Sequence, residues 1–334
     1  MKAVLYIQAA IGHLTKGFFF GLLFAVGVFF VLQLDQYYAQ EEAIGELPII
    51  HEIEDYYLEG WNAFSDILHL PEIEIPTLLA STVSPTHTQK LPDLTWNYQE
   101  VYNKLANKGF SKGKLRAAEK YLDYIDQHKE IAIHDMQESG VFASIKLAQA
   151  LLESGAGRSK LARSTHNHFG IKARANKTGR LKLRNKQYDL LTDYDYTPSQ
   201  PAIGVFKMTD DHHYDRFEKY RNVGDSYWRH TQLVTRNCTL GKVGCYSWIW
   251  KTFPVGDAKC DITSAANSFY SFSKLSPEYF FNGNRELPYF AAAAAGLKMA
   301  GYATSKTYHQ KLSYIIVTYE LWKFDMMVKR DLNG

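Results

Sequence analysis

The chain is poor in cysteine and in proline. Its 334 residues include 3 Cys, 10 Pro and 22 Gly. So few cysteines exclude a small secreted fold held together by several disulfides, and so few glycines and prolines exclude collagen-like and Pro/Gly-rich disordered chains. Hydrophobic residues make up 46% of the sequence. That share is ordinary for packed domains, and the length leaves room for one or two of them.

Positive charge is missing from one long stretch. Residues 17–89 contain 11 acidic side chains and neither Lys nor Arg. Residues 90–334 contain 36 basic and 24 acidic side chains. The second part is therefore basic, and a basic folded domain suggests an anionic partner such as nucleic acid, lipid headgroups or an acidic polymer.

One long hydrophobic run lies near the N-terminus. Residues 17–34 carry no charge, and at ~1.5 Å rise per residue a helix of this length spans roughly 27 Å, close to the hydrocarbon thickness of a bilayer. Lysines precede the run at positions 2 and 16, and acidic residues follow it. The positive-inside rule then predicts a cytoplasmic N-terminus at residues 1–16 and a single-pass transmembrane signal anchor at residues 17–34.

This anchor predicts a location for the rest of the chain. We expect the protein in the cell inner membrane with its folded part periplasmic or extracellular, which removes nucleic acid from the partners. A signal peptide cleaved near Ala39 or a buried soluble helix would also explain the run, but Tyr37 is bulky for a cleavage site. Residues 35–97, acidic and then containing Pro, Thr and Ser, are predicted to be a tether, and residues 98–334 a folded domain.

Most of the folded domain has helical patterns. Apolar side chains repeat with the helical period in residues 115–125, 145–152 and 308–319. Residues 203–208 and 214–220 look like two short strands around a polar turn, and residues 179–183 alternate apolar with basic side chains. The predicted fold class is therefore mainly α (α+β), with a small antiparallel β lobe inserted between helices.

The candidate chemistry concentrates in residues 147–172. Glu153 comes at the end of a predicted helix, which Gly155 and Gly157 would stop. Apolar neighbours and the negative end of the helix dipole both raise the pKa of such a carboxyl group. A carboxylic acid that is still protonated near neutral pH is what protonation of a glycosidic leaving oxygen requires. A lone glutamate is more often an ordinary solvated helix end, so the interpretation depends on its neighbours.

Three ordered blocks of the sequence resemble one enzyme family. The run LAQALLESGAGRSKLA, with HNHFGIKA after it, is followed by FEKYRNVGDSYWRHTQLV at residues 217–234 and by GLKMAGYATSKTYHQKLSYIIVTYELWKFD at residues 296–325. Together they resemble the N-acetylglucosaminidase domain of bacterial peptidoglycan hydrolases, glycoside hydrolase family 73. The resemblance implies a lysozyme-like helical core with a β lobe, Glu153 as general acid, peptidoglycan glycan strands as substrate, and no metal or organic cofactor.

The resemblance also implies further site residues. Tyr302, in the Gly-Tyr-Ala-Thr turn, matches a tyrosine of the catalytic centre and would hydrogen-bond the bound sugar. Ser154, Asn167 and Phe169 are predicted to bind substrate along the groove. One departure is His166, which stands where the family usually has the first Asn of an Asn-Asn pair.

A second carboxylate is expected in the β lobe. The turn Thr209-Asp210-Asp211 falls about where the family places a Thr-x-Glu pattern. We predict Asp211 as the catalytic residue that assists water, with Asp210 as its substrate-binding neighbour. An Asp-Asp pair is also ordinary turn chemistry between two strands, and some glycosidases use the acetamido group of the substrate in place of this carboxylate.

Residues 238–287 are an insertion in the family pattern. Their aromatic side chains could extend the sugar-binding cleft or form a satellite core. In an oxidising compartment one disulfide could form among Cys238, Cys245 and Cys260, and the sequence leaves the pair open.

The sequence therefore predicts a membrane-anchored peptidoglycan hydrolase that cleaves β-1,4 bonds after N-acetylglucosamine. A lytic transglycosylase shares the helical core and a Glu-Ser pair, but its usual Gly-Ala-x-Gly-Leu-Met-Gln type segment is absent. A non-catalytic wall-binding scaffold is the alternative outside the enzymes, and the intact Glu-Ser-Gly motif weighs against it. Mannosyl glycoproteins, to which the name of this family sometimes refers, are a poorer match for an anchored exported enzyme.

Overall fold

The computed structural model describes residues 94–333. The predicted cytoplasmic N-terminus (residues 1–16), the predicted anchor (residues 17–34) and residues 35–93 of the predicted tether lie outside the described residues. Among residues 94–333, no helix combines the length and the apolar character needed to cross a bilayer.

The packed domain begins before Tyr98. Leu94 and Trp96 are both buried. The indole N–H of Trp96 donates to the carbonyl oxygen of Tyr319 at 2.8 Å, and its ring lies 5.7 Å from that of Phe324. The boundary predicted at residue 98 is therefore too late, because Leu94 is already buried and Trp96 packs on the C-terminal part of the chain.

Helices make up most of the described chain. In order they are α1 (Tyr98–Asn107), α2 (Lys112–Ser139), α3 (Ala143–Ser154), α4 (Lys160–Thr165), α5 (Lys177–Arg184), α6 (Val223–Thr235), α7 (Ile249–Thr252), α8 (Thr263–Ser273), α9 (Tyr289–Met299), α10 (Tyr308–Thr318) and α11 (Trp322–Asn333). Three antiparallel strand pairs lie between them: β1 (Arg174–Ala175) with β2 (Tyr196–Thr197), β3 (Gly204–Lys207) with β4 (Arg216–Lys219), and β5 (Cys260–Asp261) with β6 (Glu286–Leu287). The predicted class, mainly helical with small antiparallel sheets, is confirmed.

The predicted hairpin is β3 and β4, with Val205 opposite Glu218. Residues 179–183, whose alternation is typical of a strand, lie instead in helix α5. The side chain of Asn176 accepts a hydrogen bond from the backbone N–H of Gly179 at 3.0 Å and so caps this helix. A local cap therefore outweighs the alternating pattern.

Trp248, Phe253 and Phe269 form a satellite core within residues 238–287. The ring of Trp248 lies 5.7 Å from Phe253 and 5.4 Å from Phe269, and both phenylalanines are buried. A Cβ atom on Gly296 of α9 would lie 3.1 Å from Trp248, so this core packs closely on α9. For these residues the satellite core is the alternative that the structure supports.

Cys238 and Cys245 form the disulfide, and Cys260 is a buried thiol. The disulfide closes a short loop that carries Gly244. The backbone N–H of Gly244 donates to the carbonyl oxygen of Ala300 at 2.8 Å. This bond docks the loop at the C-terminal end of α9.

Helix α3 lies at the centre of the domain. It packs against α2, α9, α10 and α11, and all of its residues except Leu152 and Glu153 are buried. A helix enclosed on every side is a core helix rather than an amphipathic surface helix. The part of α3 that reaches solvent is therefore its last turn, which carries Glu153.

A buried ion pair fixes the middle of α3. Lys146 is fully buried, and its ammonium group donates to Asp135 of α2 at 2.5 Å and to the hydroxyl of Thr231 in α6. Burial lowers the pKa of Lys146 to about 8, although Asp135 acts in the opposite direction. This pair holds three helices together at one point, because a buried charge needs its partner.

The start of α3 is capped by a residue far along the chain. Phe142, at the N-cap position, has no side chain that can accept a hydrogen bond. Asp325 of α11 accepts the backbone N–H of Ser144 at 2.9 Å and the hydroxyl of Tyr289 at 2.8 Å. A carboxyl group there satisfies an otherwise unpaired N–H and faces the positive end of the helix dipole. Burial raises the pKa of Asp325 to about 6.

We expect Asp325→Ala to lower the free energy of unfolding by ~1–3 kcal/mol, because it leaves buried donors without an acceptor. Urea unfolding measures this loss. Because folding raises the pKa of Asp325 from 3.8 to about 6, its contribution to stability is greatest below pH 3.8 and falls as the pH rises through 6. Asp331→Ala, on the exposed end of the same helix, is the matched control, and equal losses in the two variants would contradict this role.

Candidate active site

The turn after α3 holds Glu153 at the surface. Gly155 has a φ of +56° and Gly157 a φ of +74°, both in the left-handed region that favours glycine. A Cβ atom on Gly157 would also lie 3.2 Å from the ring of Tyr124 and 3.4 Å from that of His168. The turn therefore packs tightly against the protein at Gly157, where both the backbone conformation and the limited space favour glycine. At Gly155 only the backbone conformation does so.

Glu153 lies in a concave position. Its side chain is exposed to solvent, yet protein atoms crowd around it, and a Cβ atom on Gly170 would come within 3.9 Å of its Oε2. A side chain that is both accessible and crowded lies on the floor of an open cleft rather than on a convex surface. Loss of hydration there raises the pKa of Glu153 to about 7, and the negative charge of Asp210 acts in the same direction.

Two buried polar side chains hold the Glu153 carboxyl. The amide Nε2 of Gln149 donates to the hydroxyl of Tyr308 at 2.9 Å. That hydroxyl then has its own hydrogen to give, and it hydrogen-bonds Glu153. This bond favours the carboxylate and lowers the pKa of Glu153, opposing the effect of crowding.

Tyr302 lies beside Tyr308. Its ring stacks on that of Tyr308 with centroids 5.7 Å apart, and the ring of Tyr246 lies 5.5 Å away. Burial and the charge of Glu153 raise the pKa of Tyr302 well above its usual value. Its hydroxyl therefore remains protonated and is available as a hydrogen-bond donor in the cleft.

The β3–β4 turn carries the second acidic group. Lys172 lies among three carboxylates: 2.7 Å from Asp210, 2.6 Å from Asp211 and 3.0 Å from Asp215. Asp210 is the one whose charge acts on Glu153. The side chain of Asp211 is 71% exposed, and its hydrogen bond with Lys172 lowers its pKa. Of these two aspartates, Asp210 is the one whose charge acts on Glu153, and Asp211 is the more exposed.

The predicted substrate contacts of Ser154 and Asn167 need correction, because both side chains are buried. The hydroxyl of Ser154 accepts the N–H of Gly157 at 2.7 Å and so closes the turn after α3. The amide of Asn167 donates to the carbonyl oxygens of Ile171 and Glu218, each at 2.9 Å. These residues build the walls of the site instead of touching a ligand.

Phe169 is also buried, and its predicted contact with substrate is corrected in the same way. Its ring stacks on His230 at 4.1 Å and meets Tyr227 at 5.0 Å. Phe169 therefore supports the site from behind.

The sequence analysis missed three residues of the site: Gln149, Lys172 and Tyr308. Gln149 stands four residues before Glu153, which places both on one face of α3. Tyr308 lies in the third block of the family resemblance, at residues 296–325. In the sequence it is recognisable only as one of the apolar side chains that repeat with the helical period in residues 308–319. For Gln149 and Tyr308 the available signal was a polar group among apolar residues at helical spacing. Lys172 lies outside the helices and carries no such signal.

Two clusters of side chains have the spacing of metal ligands. One is Asp210, Asp211 and Asp215, and the other is His134, Asp135 and Glu138. In the first, the ammonium group of Lys172 already lies among the carboxylates. In the second, Asp135 is the partner of Lys146.

We expect Glu153→Gln to make the protein more stable than wild type above pH 7. Folding raises the pKa of Glu153 from 4.5 to about 7, so its contribution to stability is complete below pH 4.5 and is lost as the pH rises through 7. Thermal unfolding of both proteins across this range measures the difference. Glu138→Gln, which makes the same charge change on α2, should not show this widening gap, and parallel curves for both variants would refute the pKa shift.

The chain is similar to several solved structures, of which three are described. An N-acetylmuramoyl-L-alanine amidase from Staphylococcus aureus has 23% identity over 62% of this chain and 43% of that chain, with a TM-score of 0.36. The catalytic domain of the autolysin Auto from Listeria monocytogenes has 19% identity over 72% of this chain and 100% of that chain, with a TM-score of 0.34. A type VI secretion system effector–immunity complex from Pseudomonas protegens has 14% identity over 61% of this chain and 94% of that chain, with a TM-score of 0.32.

Among curated proteins, the exo-glucosaminidase LytG of Bacillus subtilis (strain 168) is 26% identical over 206 residues. The match covers 61% of this chain and 52% of the relative, so the chain spans about half the length of that protein. The family model described as glucosaminidase, mannosyl-glycoprotein endo-beta-N-acetylglucosaminidase, matches residues 129–321. This match covers more than half of the chain and confirms the family that the sequence motifs predict. The chain therefore belongs to the glucosaminidase family of glycoside hydrolases.

Proposed function

We propose that this protein is a peptidoglycan hydrolase that cleaves β-1,4 glycosidic bonds after N-acetylglucosamine, with Glu153 as the general acid. The observation that carries the proposal is the state of Glu153, an accessible carboxyl group in a crowded cleft with a pKa of about 7. Such a group still holds its proton near neutral pH and can give it to a leaving oxygen.

The surroundings of Glu153 suit both halves of this proton transfer. Before transfer, crowding and the charge of Asp210 keep the carboxyl group protonated. After transfer, the Glu153 carboxylate accepts the hydrogen bond of the Tyr308 hydroxyl, which Gln149 orients. In this proposal the Tyr302 hydroxyl donates a hydrogen bond to the bound sugar.

Asp210 is our candidate for the second carboxylate. It interacts with Glu153 through space, and Lys172 holds it in place from the neighbouring loop. In a two-carboxylate scheme it would activate water or stabilise the oxocarbenium-like transition state. Asp211 shares the same lysine but faces solvent more fully, with 71% of its side chain exposed against 52% for Asp210.

The substrate assignment rests on the family and on charge. The resemblance to N-acetylglucosaminidase domains of peptidoglycan hydrolases and the similarity to a Bacillus exo-glucosaminidase both favour a glycan of N-acetylglucosamine. Residues 90–334 have an excess of basic side chains. This excess suits a cell-wall polymer whose peptide stems are anionic.

The anchoring and location are also proposals. The uncharged run at residues 17–34, with lysines before it and acids after it, favours a single-pass anchor in the inner membrane with the N-terminus cytoplasmic. The catalytic domain would then act in the periplasm or outside the cell. Sedimentation of the full chain with membranes after an alkaline wash tests this assignment, and release of the chain by that wash would remove it.

We expect Glu153→Gln to lower the rate of sacculus digestion by ~10²–10⁴-fold or more while leaving glycan binding in place, because glutamine cannot donate the proton. Mass spectrometry of the wild-type products should find reducing N-acetylglucosamine ends. Anhydro-muramic ends would point instead to a lytic transglycosylase, and sacculus binding without release of fragments would point to a scaffold. Glu138→Gln is the control for the charge change.

The pair Asp210→Asn and Asp211→Asn separates the two carboxylates. Asp210→Asn should lower turnover more strongly and shift the alkaline limb of the pH–rate profile to lower pH, because the charge of Asp210 raises the pKa of Glu153. Asp211→Asn also removes an ion pair with Lys172 but should leave that limb in place. An equal shift in the two variants would argue against a special role for Asp210.

A further inference from the structure

Two apolar side chains of residues 238–287 lie on the surface next to the site. Val243 is 59% exposed and Phe272 is 46% exposed, whereas other aromatic side chains of this segment, such as Phe253 and Phe269, are buried. Both meet Gly301, where a Cβ atom would lie 3.1 Å from the ring of Phe272 and 3.2 Å from Val243. Their exposed surface is therefore continuous with Gly301 and, across one peptide bond, with Tyr302.

The loop that carries Val243 is held firmly. The disulfide closes residues 238–245 into a small ring. A Cβ atom on Gly241 would lie 2.8 Å from the carbonyl oxygen of Ser268, so the loop packs directly on the backbone of α8. Tyr246, the residue after the ring, places its own ring 5.5 Å from Tyr302. The loop therefore has a fixed position relative to the tyrosine that lies beside Glu153.

Single exposed apolar side chains are ordinary in soluble proteins. Here, however, an aromatic ring and a branched aliphatic side chain lie against the same glycine, directly before Tyr302 in the chain. Gly301 has a φ of +80° and no side chain, so nothing separates the two apolar groups at that point. The result is a small apolar surface on a rigid support, which is typical of a position that orients a ligand.

We propose that Val243 and Phe272 form a saccharide subsite that binds the apolar face of one pyranose ring. This inference rests on the proposed function, and its occupant is a further sugar of the strand whose glycosidic bond Glu153 cleaves. A pyranose ring presents C–H groups on its faces and hydroxyl groups around its edge. An open, half-exposed apolar surface can therefore cover one face while the hydroxyl groups stay in water.

The position of this subsite has a consequence for substrate choice. A sugar bound at Val243 and Phe272 does not take part in the reaction, so it adds binding energy from a remote part of the substrate. Long strands can use this contact, whereas a fragment that reaches only Glu153 and Tyr302 cannot. The subsite therefore favours polymeric glycan over short fragments.

Binding to glycan strands from which the peptide stems have been removed tests the subsite. In the full chain carrying Glu153→Gln, Phe272→Ala should weaken this binding roughly three- to tenfold, as loss of one aromatic contact does. Phe272→Trp should keep it, because the larger ring offers the same apolar face. Val243→Ser should also weaken binding and provides a second variant that does not alter α8.

The matched control is Tyr270→Ala. Tyr270 lies two residues before Phe272 on the same helix and is 49% exposed, but that spacing places it on a different flank of α8. Its variant should bind strands as tightly as the parent. Thermal unfolding of each variant checks that the helix remains folded.

Equal binding by the Phe272→Ala and Tyr270→Ala variants would overturn the subsite. An effect of Phe272 seen only with strands that retain their stems would also overturn it, because the surface would then bind peptide rather than sugar. Failure of the proposed function has a separate signature, since wild-type protein would release no fragments from sacculi. The strand-binding measurement needs no turnover and so remains informative in that case.

Discussion

The site depends on the complete burial of helix α3. Because packing surrounds this helix on every side, its direction is fixed, and Glu153 can reach solvent only at its end. Burial of a whole helix leaves polar groups that need partners, and these come from distant parts of the chain. Asp325 caps the first turn, and Asp135 pairs with Lys146 in the middle. The same contacts that satisfy buried groups thus also position the reactive carboxyl.

Opposing effects set the proton affinity of Glu153. Crowding in the cleft and the charge of Asp210 favour the protonated form, and the hydroxyl of Tyr308 favours the carboxylate. The pKa rises to about 7 because loss of hydration outweighs the hydrogen bond from Tyr308. This balance costs stability at neutral pH, since the folded state holds a proton that the unfolded chain would release. Functional sites commonly carry such a cost.

The segment at residues 238–287 serves two purposes. Its buried aromatic side chains form a satellite core on α9, which explains most of its composition. The disulfide loop then extends from this core to the turn at Gly301. The loop is thereby attached both to α8 and to the turn that precedes Tyr302.

The sequence by itself determined the helical class, the β3–β4 hairpin and the end of α3 next to Glu153, because each depends on a pattern within a few neighbouring residues. The Gly155 and Gly157 turn is of this kind. The sequence pattern suggested a strand at residues 179–183, but the cap at Asn176 makes this segment helical. The sequence also did not decide which two cysteines form the disulfide. Only the tertiary structure decided that Asp210, Gln149 and Tyr308 act on Glu153 and that Ser154, Asn167 and Phe169 lie behind it. Charge interactions and hydrogen bonds depend on distance in space, and Tyr308 comes to Glu153 only when the chain is packed.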